Sequence, residues 1–345
     1  FMKNLTFAPQ PKWKHIAKAI FATVKSDEKI IQHWSLNNKK TFWFSRSAWS
    51  LYAIARFRML VLPEEEQNIW IPSYFCNTSL LPIRALGVKL SFYPILFDGK
   101  PDLSVCNKML KDNPPNIIVF VDYFGESLFS KELYDLAKNN NAWLVEDAVH
   151  CLDPNQSNTK FADFVLYSPH KLLAIPDGGL LIVSNYGPNR ISYDLLKKYK
   201  FNKLYNSIVN KPESSNLPTY KWITKRLIQK LGLFSNISKV EFNNDVIVEN
   251  LQKFPHPKIS FITKNLLFNM VTELEEETGN RWNNYEEWNT SLTRQGILND
   301  DIKCPSISYT PYLAVFIATD TNLAEKTFNL LKKAKIPVTT WPDLA

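Results

Sequence analysis

Residues 163–184 read DFVLYSPHKLLAIPDGGLLIVS, two strongly apolar β-rich runs joined by a short polar loop. The loop is too short for a helical crossover, so the two runs are expected to pair antiparallel. It holds one lysine, Lys171, behind Ser168 and His170 and ahead of Asp177-Gly178-Gly179. Lysines avoid apolar strand ends unless a partner or a reaction holds them there. Burial lowers a lysine's pKa and frees its amine as a nucleophile, which suits Schiff-base chemistry; a structural lysine with its head in water is the other reading. Only nine glycines occur in 345 residues, and Gly178-Gly179 is the one adjacent pair. A glycine pair in so glycine-poor a chain points to a backbone requirement.

Working outward, further β-rich runs precede this hairpin: NIWI (68–71), VKLSFYP (88–94), NIIVFV (116–121) and AWLVE (142–146). Segments of helical period lie between them, as βαβ units and a mainly parallel sheet require. Ser47 to Met59 places Ala48, Leu51, Tyr52, Ala55 and Met59 on one face of a helix that starts near Ser45 or Ser47. SLLPIRAL closed by Gly87, and KELYDLAKNN behind Ser130, read as two more helices. After Asn185 the pattern weakens into a polar, basic excursion broken by Pro212 and Pro218. A helical stretch follows from about Ile259 to Leu292, then YLAVFIA, LAEKTFNLLKKAK and IPVTTW as strand, helix and strand. The expected division is a large α/β domain over 1–245 and a smaller α+β domain over 246–345, in keeping with about 150 residues per domain.

Hydrophobic residues make up 45% of the chain and charged residues 21%, a globular composition with no apolar run long enough to span a bilayer. The opening FMKNLTFAPQPKWKH has neither an apolar h-region nor a small-residue cleavage site, which predicts a cytoplasmic protein. Cys76, Cys106, Cys151 and Cys304 lack CxxC spacing and histidine partners, so they are expected as thiols rather than as a metal module or disulfide framework. Ten Lys or Arg fall between Arg190 and Lys230 against Asp194 and Glu213, which matches the whole net charge of +8. This stretch is either a solvated helical surface or a basic wall for a phosphate-bearing substrate. No nucleic-acid-binding signature accompanies it.

Three more stretches carry chemistry. NAWLVEDAVHCL sets Glu146-Asp147 at the C-terminal end of a strand, the edge where open α/β sheets bind ligands. A carboxylate buried there needs a cation or donors, although Asp147 could also cap a helix. FWFSRSAWSLYAIARF breaks at Ser45-Arg46-Ser47 into a helix, offering backbone N–H groups, a hydroxyl and a guanidinium to an anion such as phosphate. IWIPSYFCNTS carries Tyr74 and Phe75 just past a strand, where a flat ring could stack on an aromatic cofactor or simply fill the core.

In order, these stretches resemble the DegT/StrS family of PLP-dependent sugar aminotransferases. The likeness is carried by SRSAWSLYAIARFRM, IWIPSYFCNTSLLPIRALGVKLSFYPI, VFVDYFG, LVEDAVHCL, SPHKLLAIPDGGLLIVSN, NRWNNYEEW and IPVTTWP. It implies a fold-type-I PLP-dependent transferase. Lys171 would be the catalytic residue that holds pyridoxal 5′-phosphate and moves the proton. Asp147 would face the ring nitrogen, and His150, where most members carry Gln, the ring's phenolic oxygen. Arg46, Ser47 and Ser168 would bind the phosphate, and Phe75, or Cys76 one position on, would stack on the ring. Asp122 stands where the family usually has His. The resemblance further implies a homodimer that takes an amino group from glutamate or a similar donor to a keto-sugar, possibly nucleotide-linked. A coenzyme-binding protein without turnover is the alternative.

Overall fold

A computed structural model describes residues 9–21, 30, 33–34, 40–153, 161–210, 217–231, 241–242, 254–304, 307 and 309–340. The boundary expected near residue 245, together with Lys211, Pro212, Glu213 and Trp341-Pro342 from the stretches above, lies outside the described residues. Among the described residues, no helix is long and apolar enough to cross a membrane.

The main sheet comprises β1 (Lys40–Phe44), β2 (Asn68–Pro72), β3 (Lys89–Tyr93), β4 (Ile117–Val121), β5 (Trp143–Asp147), β6 (Phe164–Tyr167) and β7 (Gly179–Val183). Their order across the sheet is β1-β7-β6-β5-β4-β2-β3. β3, β2, β4, β5 and β6 run parallel, while β7 is antiparallel to both β6 and β1. The hairpin read from 163–184 therefore closes as its loop length requires.

Strand alternation divides the apolar side chains between two layers. Ile69, Ile71, Val119, Val121, Val145 and Leu166 face the helices Ser47–Val61 and Phe201–Val209. Trp70, Ile118, Phe120, Leu144, Val165 and Tyr167 face the helices Lys131–Asn139 and Phe261–Met270. With both faces covered, β2, β4, β5, β6 and β7 are buried along their whole length, and their sequences read as continuous apolar runs.

The helix Ser47–Val61 is buried more widely than one face: Trp49, Ala53, Ile54, Phe57 and Arg58 join Ala48, Leu51 and Ala55, while Tyr52 and Met59 are half-buried. Its far side meets a second helix, where Phe57 packs edge-on to Phe201 at 4.9 Å. Neither Ser45 nor Ser47 caps it. The N-cap is Arg46, and the Ser45 hydroxyl donates to the carbonyl of His256 instead. SLLPIRAL forms a 3-10 turn, Asn77–Leu80, running into a short helix, Leu81–Arg84, followed by Gly87 at φ +71°. Ser130 caps its helix as the sequence predicts, accepting from the N–H of Leu133.

The basic excursion contains the helices Tyr193–Lys198, Phe201–Val209 and Leu217–Lys230. Toward the C-terminus, the helix Leu274–Arg294 leads to β8 (Ile302–Lys303), which pairs antiparallel with β9 (Ile317–Ala318) ahead of the helix Thr321–Lys333. YLAVFIA thus contributes a two-residue strand, and residues 336–340 are irregular where a strand is expected.

Candidate active site

The connection from β2 runs out to β3 on one side, and the chain then returns to place β4 on the other side of β2. Open α/β sheets bind ligands at such a switch point, beyond the carboxyl ends of the strands. Here the ends of β2, β4, β5 and β6 meet the start of the helix Ser47–Val61 around a cleft of about 460 Å³, its open mouth included. Ser47, Phe75, Asp147, His150 and Lys171 all line it.

Gly178 and Gly179 explain how the start of β7 fits beneath that helix. Gly178 has φ +136°, and its N–H donates to the Ser45 carbonyl at 2.8 Å. A Cβ on Gly179 would lie 2.3 Å from the carbonyl carbon of Arg46 and 2.4 Å from the nitrogen of Ser47. The pair lets two backbones touch, bringing the Ser45–Ser47 turn against the loop that carries Lys171.

Asp147 ends β5 on the side of the helix Ser47–Val61, because it shares the alternation of Val145. Glu146 points to the opposite face, so the adjacent acids occupy different surroundings. Asp147 accepts from the N–H of Val149, yet its buried Oδ1 has no hydrogen-bond partner among the described residues. Burial pushes its carboxyl up to about 6, against the pull of the Lys171 charge. On the opposite face, fully buried Asp122 accepts from the N–H of Leu128 at 3.1 Å and neighbours Glu146. Burial pushes Asp122 up to about 6 as well. Two carboxyl groups that bond to each other need a shared proton, so this pair remains partly neutral behind the cleft.

Lys171 lies in the short helix Pro169–Leu172, where Pro169 sets the first turn. Its Nζ is 3.1 Å from His150 Nε2. Desolvation lowers the lysine's pKa, with Asp147 opposing, and drives the His150 pKa well below the usual histidine range. His150 Nδ1 accepts from the N–H of Phe124 at 3.1 Å, and its ring lies parallel to Tyr312 with centroids 4.4 Å apart. Arg281 donates to the carbonyls of Pro311 at 3.2 Å, Tyr312 at 3.3 Å and Leu172.

Of the residues expected at the phosphate, Ser47 lines the cleft, while Arg46 and Ser168 are engaged elsewhere. The Arg46 guanidinium donates to the carbonyls of Ser45 at 2.9 Å and Pro176 at 3.3 Å, with Asp177 as its nearby negative charge. The Ser168 hydroxyl lies 3.0 Å from His170 Nδ1, which is also 2.9 Å from the Gly178 carbonyl. A ring nitrogen next to a carbonyl must donate, so His170 carries its proton on Nδ1. Phe75 lines the cleft together with Tyr74 and Cys76. Phe124, Tyr312 and Arg281 are additions that the sequence did not single out. Arg281 lies within the quoted NRWNNYEEW, but nothing in the spacing relates a residue on that helix to Lys171.

No family model matches the chain. Solved structures that match include a DegT DnrJ EryC1 StrS aminotransferase from Brucella abortus, with a TM-score of 0.59 at 14% identity over 95% of this chain and 79% of that one. Helicobacter pylori PseC, an aminotransferase of pseudoaminic acid biosynthesis, matches with 0.62 at 15% over 96% and 83%. The putative sugar aminotransferase Spr1654 from Streptococcus pneumoniae, in its PMP form, matches with 0.64 at 13% over 99% and 84%. The chain shares the fold of these sugar aminotransferases. Among curated proteins, a Campylobacter jejuni UDP-4-amino-4,6-dideoxy-N-acetyl-beta-L-altrosamine transaminase is 30% identical over 129 residues, 35% of this chain and 34% of that protein. A Thermococcus gammatolerans serine hydroxymethyltransferase is 28% identical over 151 residues, 39% and 34% respectively. The matches span about a third of the length of these curated relatives.

Proposed function

We propose that the chain is a pyridoxal-5′-phosphate-dependent aminotransferase that moves an amino group from glutamate or a similar donor to a keto-sugar, possibly nucleotide-linked. One observation carries this reading: Lys171 lines the cleft at the switch point of the sheet together with Asp147, whose buried Oδ1 has no hydrogen-bond partner among the described residues. A buried carboxylate oxygen without a donor is costly on its own and fits a ligand that presents a protonated ring nitrogen. When bound, the coenzyme supplies an electron sink for a carbanion at the substrate carbon.

The protein's part is to hold and orient. Asp147 would keep the ring nitrogen protonated. Lys171, its amine freed by desolvation, would be the covalent attachment point and the base that moves the proton. Ser47 would offer its hydroxyl and backbone N–H at the helix start to the phosphate, and Phe75 would stack on the ring. His150 would donate to the ring oxygen. Roles for Arg46 and Ser168 at the phosphate remain part of the proposal and require Arg46 to leave the Pro176 carbonyl. The homodimer, the cytoplasmic location and the division into a large coenzyme domain over 1–245 and a smaller one over 246–345 belong to the same proposal.

The test is reconstitution with pyridoxal phosphate. The expected result is a visible absorption band, abolished by borohydride with the coenzyme fixed on the Lys171 peptide, and absent in Lys171→Ala. Glutamate should then convert the band to the pyridoxamine form, and a keto-sugar nucleotide should restore it. Absence of any adduct on Lys171 would overturn the assignment, whereas a trapped adduct with no response to any amino donor would leave a binding protein without turnover. The serine hydroxymethyltransferase match favours a second reading, in which serine is the substrate and its hydroxymethyl group passes to a second, acceptor substrate.

A further inference from the structure

The state of Lys171 before any coenzyme arrives depends on which nitrogen of His150 carries the proton. A neutral imidazole has one N–H and one acceptor nitrogen. Nδ1 of His150 accepts the backbone N–H of Phe124 at 3.1 Å, so the proton belongs on Nε2. Nε2 is the atom 3.1 Å from Lys171 Nζ. An ammonium at that position would set donor against donor, whereas a neutral amine accepts the bond with its lone pair.

We propose that Tyr312 and the Phe124 peptide are positioning elements that hold His150 as its Nε2–H tautomer, and that this N–H keeps Lys171 a free amine in the coenzyme-free protein. Three features tie the arrangement together. Phe124 adopts φ +59°, a left-handed conformation unfavourable for a bulky residue, and donates its N–H to the imidazole. Gly125 follows at φ +95°, where a Cβ would lie 2.9 Å from the Thr310 carbonyl, so the Phe124 turn is wedged against the segment that carries Tyr312. Arg281 then joins that segment to the carbonyl of Leu172, one residue past the lysine.

The groups facing Lys171 come from several elements. Asp147 on β5 and Cys76 beyond β2 favour the ammonium. The Tyr312 ring, its centroid 6.0 Å from Nζ, adds a further attraction for a cation. Against these stand burial and the His150 N–H. The tautomer therefore adds to burial in favouring the free amine, and the parallel Tyr312 ring at 4.4 Å keeps the imidazole from rotating out of line.

This inference rests on Lys171 being the reactive amine, but its test needs no coenzyme. In coenzyme-free protein labelled with 15N-histidine, long-range proton–nitrogen spectra report the tautomer, and His150→Gln identifies the signal. The expected spectrum shows His150 as a single neutral species protonated on Nε2. Tyr312→Phe keeps the ring and should keep the pattern. Tyr312→Leu should lose the single-tautomer pattern and slow acylation of Lys171 at fixed pH by roughly tenfold, the equivalent of one pKa unit. Arg281→Lys, which loses the fork across three carbonyls, should loosen the same ring and serves if Tyr312→Leu does not fold. A wild-type ring protonated on Nδ1, or on both nitrogens, overturns the proposal without any variant. So does a wild-type pattern that persists in both Tyr312→Leu and Arg281→Lys. In either event borohydride trapping on Lys171 would still stand, so failure here is distinct from failure of the proposed function.

Discussion

Asp147→Asn should make the coenzyme-free protein more stable while removing its proposed hold on the ring nitrogen. In the folded chain burial pushes the Asp147 carboxyl up to about 6 from an ordinary 3.8. The fold therefore favours the protonated acid, and stability is lost as pH rises from the unfolded value through the folded one. At about 1.4 kcal/mol per unit, the full penalty above pH 7 is about 3 kcal/mol. Asparagine is nearly isosteric, can still accept from the N–H of Val149 through its amide oxygen, and does not ionise. Asp163, also pushed up to about 6 by burial, keeps its surroundings in both proteins and cancels from the difference, whereas Asp122, likewise raised to about 6, is relieved of the Asp147 charge in the variant, which adds to the variant's advantage. Chemical denaturation of the two proteins should coincide near pH 4 and separate by about 3 kcal/mol near pH 8, the variant being the more stable. Pyridoxal phosphate should reverse that order by stabilising the wild type more. A variant no more stable at about pH 8, or equally favoured at both pH values, would refute the claim that the fold strains this carboxylate for a ligand.

Gly179→Ala should destabilise the protein by about 1–3 kcal/mol and weaken coenzyme binding, because its Cβ would meet the Arg46 backbone at 2.3 Å; thermal melts with and without coenzyme check both effects. Phe57→Ala should cost about 3–5 kcal/mol in denaturant unfolding, since the ring is fully buried between Trp143 and Phe201. Tyr93→Phe removes a buried hydroxyl that donates to the Val119 carbonyl at 2.6 Å and should cost about 1 kcal/mol, leaving activity intact.

The division of labour between Glu146 and Asp147 shows how far local pattern reaches. Both acids were legible as the end of an apolar strand, and the period of two settles that they face opposite layers. Which layer holds the cleft depends on the helix Ser47–Val61 crossing above Asp147, a packing event between segments about 90 residues apart. The loop length between β6 and β7 determined their antiparallel pairing, and the scarcity of glycine marked Gly178-Gly179 as a backbone requirement. The partner backbone, the turn at Arg46, appears only once β7 lies beneath that helix.

Periodicity, strand ends and glycine usage are local properties, so the sequence by itself determined the α/β class, the parallel sheet with its antiparallel hairpin, and the placing of Asp147 and Lys171 at strand ends. Tertiary structure decided that Arg46 bonds to the Pro176 carbonyl in the Lys171 loop, that Phe124 and Tyr312 meet His150, and that Arg281 ties the Tyr312 segment to Leu172. Three of those contacts join residues more than 100 positions apart: Arg46 with Pro176, His150 with Tyr312 and Arg281 with Leu172. Hydrogen-bond direction and ring stacking depend on distances that hydrophobic spacing along a chain does not encode.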